Sequence, residues 1–296
     1  MFSYRHAFHA GNHADVLKHT TLLAIAQYLV QKDTALGVID THAGAGLYRL
    51  DGDFASTSGE ALHGITPIMA APQETLAPAL QSYAALVRSF NPGTQLRNYP
   101  GSPALLASVL RPQDRLRLFE LLPQDARALQ GNMAQLEAPC PVQVLMEDGF
   151  AGVKRFLPPA TRRGLLLCDP SYEIKSDYGK VVTLVEDSLR RFATGCYAVW
   201  YPIIARQEAH DLPRRLKALA SKAGRGWLHA TLTVKSGKPQ TLPDGQVQRP
   251  GLPASGMFII NPPYSLRAAL EPALPQMVQL LGQDKHAAFT LESAGN

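Results

Sequence analysis

Along the chain, short apolar runs alternate with longer stretches of helical period, the pattern of strands joined by amphipathic helices. Between positions 14 and 31, Val16, Leu17, Leu22, Leu23, Ile25, Ala26, Leu29 and Val30 recur mainly on one helical face, which predicts a first helix. Seven strand-like runs follow, at 35–40, 116–121, 142–147, 165–169, 196–203, 228–234 and 257–261. Such alternation predicts an α/β fold, a mostly parallel seven-stranded sheet covered by helices. The stretch between 40 and 116 is far longer than a crossover helix requires. Its middle, 51–98, holds an amphipathic segment at 75–90 bracketed by Pro and Gly, which predicts a helical insertion beside the substrate face. The chain then divides into one domain made of 1–50 and 99–296, with an N-terminal tail, and an inserted subdomain at 51–98. Residues 237–255, rich in Pro and Gly, predict a long hairpin connection between the last two strands.

Composition narrows the class. The 296 residues are 46% hydrophobic, enough for one sizeable core. The polar, histidine-rich start lacks the cationic and apolar segments of a secretory signal. The longest apolar runs fall well short of the roughly 20 residues that a membrane span needs. No membrane association is expected, and a cytoplasmic location is. Cys140, Cys168 and Cys196 are widely spaced, so neither a disulfide framework nor a thiolate zinc site is expected. A net charge of +5 suits a polyanionic partner.

Candidate chemistry gathers at the ends of the predicted strands. The first runs into Asp40-Thr41-His42-Ala43-Gly44-Ala45-Gly46, a turn in which missing Cβ atoms let backbone approach a ligand. Arg49 stands where a dinucleotide fingerprint needs its third glycine, and no P-loop Lys-Ser/Thr pair follows, so a nucleoside-type ligand without pyrophosphate is favoured. Glu120, after the second strand, is suited to two ribose hydroxyls, and Asp148, after the third, to an adenine amino group. The fourth strand runs into Asp169-Pro170-Ser171-Tyr172. The lone pair of an adenine N6 amine is delocalised into the ring, so attack on a sulfonium methyl needs acceptors that hold the amine towards tetrahedral geometry. The Asp169 carboxylate and the Pro170 carbonyl supply two, and Tyr172 would stack on the target base once it is unstacked.

Asn261-Pro262-Pro263-Tyr264 spells an adenine-methyltransferase motif more literally. It follows a strand expected to run antiparallel to the rest, which places its end on the face away from the ligand, and it is read as a strand-terminating turn. His9 and His13 have i, i+4 spacing but no H-E-x-x-H carboxylate, so no metal site is assigned. Tyr4, Arg5, His6, Phe8 and His9 instead form a surface suited to stacking on bases and contacting phosphates. His63, His210, His229 and His286 receive no role.

With these residues placed, the sequence resembles the RlmJ family of 23S ribosomal RNA adenine-N6 methyltransferases over nearly its whole length. The likeness rests on the segment from Tyr4-Arg5-His6 to His19, on Asp40 to Gly46, Tyr99-Pro100-Gly101-Ser102-Pro103, Glu147-Asp148-Gly149, Asp169 to Tyr172 and Ser255-Gly256-Met257. It implies a Rossmann-like class I methyltransferase fold with a helical insertion, S-adenosylmethionine as cofactor and 23S ribosomal RNA as partner, free or in an assembly intermediate. Carried over by position, the cofactor contacts are His19, His42, Gly44, Ser102, Glu120, Asp148, Gly149 and Asp169. Asp169, Pro170 and Tyr172 form the catalytic motif; Tyr4, with Arg5, His6 and Tyr172, meets the substrate. Ser102 also reads as a helix N-terminal cap. The usual Asp-Pro-Pro-Tyr has Ser171 at its second proline, which loosens the turn without removing an acceptor. A monomer is expected. Alternatives are a DNA adenine-N6 methyltransferase, a non-catalytic RNA-binding protein and a metal-dependent hydrolase built on the histidine cluster.

Overall fold

Asn12 starts the first helix: its side chain accepts hydrogen bonds from the Ala14 and Asp15 amides at 3.0 and 2.9 Å, satisfying two donors that no helical carbonyl can reach. In the computed structural model, which describes residues 6–52, 59–241, 247–248 and 251–295, the elements in chain order are α1 (His13–Leu29), β1 (Gly37–Asp40), β2 (Leu47–Arg49), α2 (Ile65–Ala70), α3 (Pro78–Ser89), β3 (Asn98–Pro100), α4 (Ser102–Val109), β4 (Arg115–Phe119), α5 (Pro123–Gln135), β5 (Val142–Leu145), α6 (Gly149–Gly152), β6 (Gly164–Cys168), α7 (Ser176–Arg191), β7 (Cys196–Ile203), α8 (Gln207–Lys222), β8 (Trp227–Thr233), β9 (Gln240–Thr241), β10 (Val247–Gln248), β11 (Ala254–Ile260), α9 (Leu266–Leu281) and β12 (Ala288–Ala294).

The main sheet has eight strands in the order β12-β8-β11-β7-β6-β1-β4-β5. Strands β5, β4, β1, β6 and β7 run parallel, while β11 is antiparallel to β7 and β8, and β12 to β8. The expectation of seven is corrected by β12, which the periodicity does not reveal because almost every residue in it is exposed on this edge. One apolar cluster, with α1, α4 and α9, covers one face, and a second, with α7 and α8, covers the other. Burying both faces explains why β1, β6, β7 and β11 read as nearly continuous apolar runs.

A second correction concerns α1. Its apolar stripe does not face inward alone: from His13 to Leu23 every residue is buried, including Asp15, Lys18 and His19. Residues 51–98 leave and return through the antiparallel pair β2–β3. Ile65, Ile68, Leu80, Tyr83 and Val87 of α2 and α3 join the same apolar cluster as α1 and α9. The connection between β8 and β11 is a hairpin carrying the small β9–β10 ladder.

β1 lies between β4 and β6, so the chain proceeds first to one side of β1 and then to the other. A crevice opens at such a reversal, outside the carboxyl ends of the strands. Asn261 lies at the opposite end, where its side chain donates to the Ala193 and Gly195 carbonyls before β7 at 2.9 and 2.7 Å.

Candidate active site

Asp40, Glu120, Asp148 and Asp169 end or follow β1, β4, β5 and β6, so the parallel register carries four carboxylates to one rim. A single cavity there is lined by His6, His19, His42, Gly44, Ser102, Glu120, Asp148, Gly149, Asp169 and Pro170. Sequence positions spread over most of the chain thus meet in one place.

At one end, both Glu120 carboxylate oxygens are oriented by backbone, accepting from the Gly44 amide at 2.9 Å and the Leu122 amide at 2.8 Å. Burial raises the Glu120 pKa, and those two bonds oppose the rise. Gly44 and Gly46 take φ of +60° and +76°, the left-handed region that glycine enters without a Cβ penalty. Asp148 caps α6, accepting from the Phe150 amide at 2.8 Å. A Cβ on Gly149 would stand 2.1 Å from the Thr41 carbonyl oxygen, so only glycine lets α6 close against the turn after β1. Leu121, Leu122 and Phe150 add apolar wall.

His42 stacks edge-on to Phe150, with centroids 4.7 Å apart, and burial lowers its pKa to about 4. The Thr41 hydroxyl lies 3.1 Å from the Leu167 carbonyl and 2.8 Å from His42 Nδ1. At the other end, burial lowers the His19 pKa to about 3, and Nδ1 lies 2.7 Å from the Tyr99 hydroxyl, itself 2.8 Å from that of Tyr83. His19 Nε2 has no hydrogen-bond partner among the described residues. Ser102 donates to Asp40 at 2.6 Å, which leaves its lone pairs free to accept.

Asp169, directly after β6, lines the same cavity. Lys18 Nζ donates to its Oδ2 at 2.5 Å and to Asp15 Oδ1 at 2.8 Å, and lies 5.7 Å from the Trp200 ring centroid. Burial raises the Asp169 pKa against the opposing pull of Lys18. Burial also disfavours charge on Lys18 and Asp15, yet their pairing prevails: Lys18 lies well above the usual lysine range and Asp15 well below the usual carboxylate range.

Tyr172 departs from expectation. At φ +54° its ring turns into the apolar cluster behind the rim, 2% exposed, 4.6 Å from the Tyr178 ring, with its hydroxyl donating to the Trp200 carbonyl at 2.7 Å. It does not line the cavity, because burying the ring and satisfying the hydroxyl use the whole side chain. Arg206 anchors the same turn by donating to the Tyr172 carbonyl at 2.8 Å. His6 lies on the rim, 5.1 Å from the Tyr48 ring; Tyr4 and Arg5 lie outside the described residues. His9 meets Glu60 at 2.9 Å and His13 the Leu252 carbonyl at 3.0 Å, so the two histidines face different partners.

Lys18, Asp15 and Asp40 were not singled out from the sequence. A usable signal existed in α1: Asp15, Lys18 and His19 stand at i, i+3 and i+4, which puts three ionisable groups on one helical face.

A family model described as ribosomal RNA large subunit methyltransferase D, RlmJ, matches residues 33–292. The chain is 44% identical over 275 residues to the ribosomal RNA large subunit methyltransferase J of Escherichia coli, covering 93% of this chain and 92% of that protein. To the protein of the same name from Haemophilus influenzae it is 40% identical over 293 residues, covering 99% and 98%. A crystal structure of a Legionella pneumophila protein superposes with a TM-score of 0.85 at 30% identity, covering 97% of this chain and 99% of that one. On the extent of these matches, the chain belongs to the RlmJ family of S-adenosylmethionine-dependent methyltransferases.

Proposed function

We propose that this protein transfers the methyl group of S-adenosylmethionine to the exocyclic N6 amine of an adenine in 23S ribosomal RNA, with Asp169 as the acceptor that holds the amine. The observation that carries this reading is the half-buried Asp169 carboxylate, which lines the cavity beside Pro170 and is paired with Lys18.

Residues present in the cavity fit the cofactor. Glu120, fixed by two backbone donors, keeps lone pairs for a ribose diol, and Asp148 and the apolar Leu121, Leu122 and Phe150 suit an adenine ring. The unpartnered Nε2 of His19 and the accepting Ser102 hydroxyl suit the carboxylate and ammonium of an amino acid. When bound, the cofactor supplies an electrophilic methyl on a sulfonium. The chain does the rest: Asp169 and the Pro170 carbonyl accept from the amine and favour a tetrahedral nitrogen whose lone pair is no longer shared with the ring. In this reading Asp169 also takes the proton that the amine sheds. Lys18 keeps the carboxylate in place, and the low polarity around it strengthens each contact.

Ser171 retains every acceptor of the motif, so Ser171→Pro should change the rate less than about tenfold. We read 51–98 as a helical insertion bracing the substrate face, because Glu60 meets both His9 and Asn12. No described helix is long and apolar enough to cross a membrane; a monomer acting in the cytoplasm completes the reading.

The deciding experiment measures tritium transfer from labelled cofactor to unmodified 23S ribosomal RNA and to DNA, followed by nucleoside analysis. N6-methyladenosine from RNA, lost by at least about a hundredfold in Asp169→Ala with cofactor affinity retained, is the expected result. Label in DNA alone, or an Asp169→Ala enzyme as fast as wild type, would defeat it.

A further inference from the structure

Asp15 is a second carboxylate buried under the same cavity, 1% exposed, and its contacts arrive from two segments of the chain. Oδ2 accepts from the Gly11 amide at 2.9 Å and lies 3.1 Å from His6 Nε2. Oδ1 accepts from Lys18 Nζ at 2.8 Å, and the same ammonium donates to Asp169 Oδ2 at 2.5 Å. One ammonium is therefore divided between two carboxylates, Asp15 fully buried and Asp169 in the cavity wall.

That division matters for the chemistry. An ammonium devoted to Asp169 alone would hold its carboxylate as a neutralised pair and weaken it as an acceptor. Methyl transfer moves positive charge from the cofactor sulfur to the amine nitrogen, so negative charge left at Asp169 favours the transition state. A buried ion pair kept only for stability is a poor bargain beside apolar packing, whereas ionisable groups clustered at a cleft are typical of catalysis.

The geometry points to Asp15 as a positioning residue for methyl transfer, one that shares the charge of Lys18 so that Asp169 remains an acceptor and that ties the 6–11 segment to the same assembly. This rests on the reading of Asp169 as the amine acceptor. Among the described residues, the charged and titratable groups facing Asp169 are Lys18 and Asp15 from α1, His6 from the N-terminal segment, Asp40 from β1, and the neighbouring Cys168 and Tyr172. Among them Asp15 acts to raise the Asp169 pKa and Lys18 to lower it.

The test uses the full-length enzyme at saturating cofactor and RNA. In Asp15→Asn, kcat should fall by on the order of tenfold to a hundredfold, while cofactor affinity stays at the wild-type value. The acid limb of the kcat profile should move to lower pH, because the negative charge that keeps Asp169 protonated at higher pH is gone. Asp15→Glu, which retains the charge, should leave that limb in place even if the rate drops. An Asp15→Asn enzyme with wild-type kcat overturns the inference, and so does one whose slower rate comes with an unmoved acid limb. Should Asp15→Asn fail to fold, Asp15→Ser provides the neutral variant; loss of cofactor binding in both would assign Asp15 to building the site and equally overturn it. Asp169→Ala run alongside separates the two readings: activity there removes the acceptor itself, whereas an inactive Asp169→Ala beside an unaffected Asp15→Asn removes only the role of Asp15.

Discussion

Asp40 is a carboxylate without solvent, 0% exposed, and among the described residues accepts from the Ser102 hydroxyl and, at 3.2 Å, from the His42 amide. Burial pushes its pKa up to about 6, with those two bonds opposing the rise. Between the unfolded value of 3.8 and about 6 the folded state therefore holds a proton that the unfolded chain has released. Stability falls as pH rises through that window, by up to about 3 kcal/mol from this residue. Urea unfolding from pH 4 to 7 should show the wild-type stability declining relative to Asp40→Asn as pH rises; parallel curves would show that Asp40 does not titrate there. Tyr172 makes the opposite kind of prediction, a structural one at a position the motif marks as functional. With its ring buried, Tyr172→Leu should cost on the order of a few kcal/mol in stability and leave the RNA KM of the folded enzyme unchanged. A raised KM at undiminished stability would return the ring to the target base. Asp169 and Glu120 were legible as residues because each closes an apolar run; the burial of Tyr172 was not, since a tyrosine after a proline turn reads the same whether it faces a ligand or the core.

At the scale of elements, the parallel strands were legible within a few residues because β1, β6 and β7 are apolar runs covered on both faces, while β4 and β5 still carry alternating apolar positions. β12 was not, because an exposed edge strand needs no apolar face. α1 was legible as a helix, whereas its sidedness was not. Period alone assigns polar residues to solvent, yet here the cavity rim and the pairing of Asp15 with Lys18 bury them. The packing of α6 against the turn after β1 depends on one missing atom. Gly149→Ala would drive a Cβ into the Thr41 carbonyl, costing about 1–3 kcal/mol as strain. Because Asp148 and His42 flank that contact, cofactor affinity should fall with it. Calorimetric titration of the variant checks this, and wild-type affinity would show that the turn can retreat without disturbing the cavity.

Over the whole molecule, the net charge of +5 predicts how RNA is held rather than how it is methylated. Phosphate contacts release counterions, so the logarithm of RNA affinity should fall linearly with that of salt concentration, by roughly 0.7 to 0.9 per phosphate contact. Asp169→Ala should leave this slope intact, because a carboxylate paired with Lys18 in the cavity wall meets no phosphate; filter binding across a salt series reads it, and a changed slope would place Asp169 on the RNA path. The covalently distant segment 51–98 is continuous with the body in its core. Tyr83 of α3 reaches His19 of α1 through the Tyr99 hydroxyl. The insertion and the cavity should therefore unfold together in one denaturant transition, and two separate transitions would contradict this.

By itself the sequence determined the α/β class, the approximate strands, the carboxylates at their ends and the placement of Asp169, not Asn261, at the cavity end of the sheet. These follow from period, from turn residues and from the rule that an antiparallel strand ends on the far side. Only the tertiary structure decided that Lys18 stands between Asp15 and Asp169, that Ser102 is held by Asp40, and that Tyr172 faces inward. Each of those depends on side chains brought together from segments remote in the chain or on the covering of a helix by its neighbours. Local pattern carries no information about which polar groups the folded chain will enclose together.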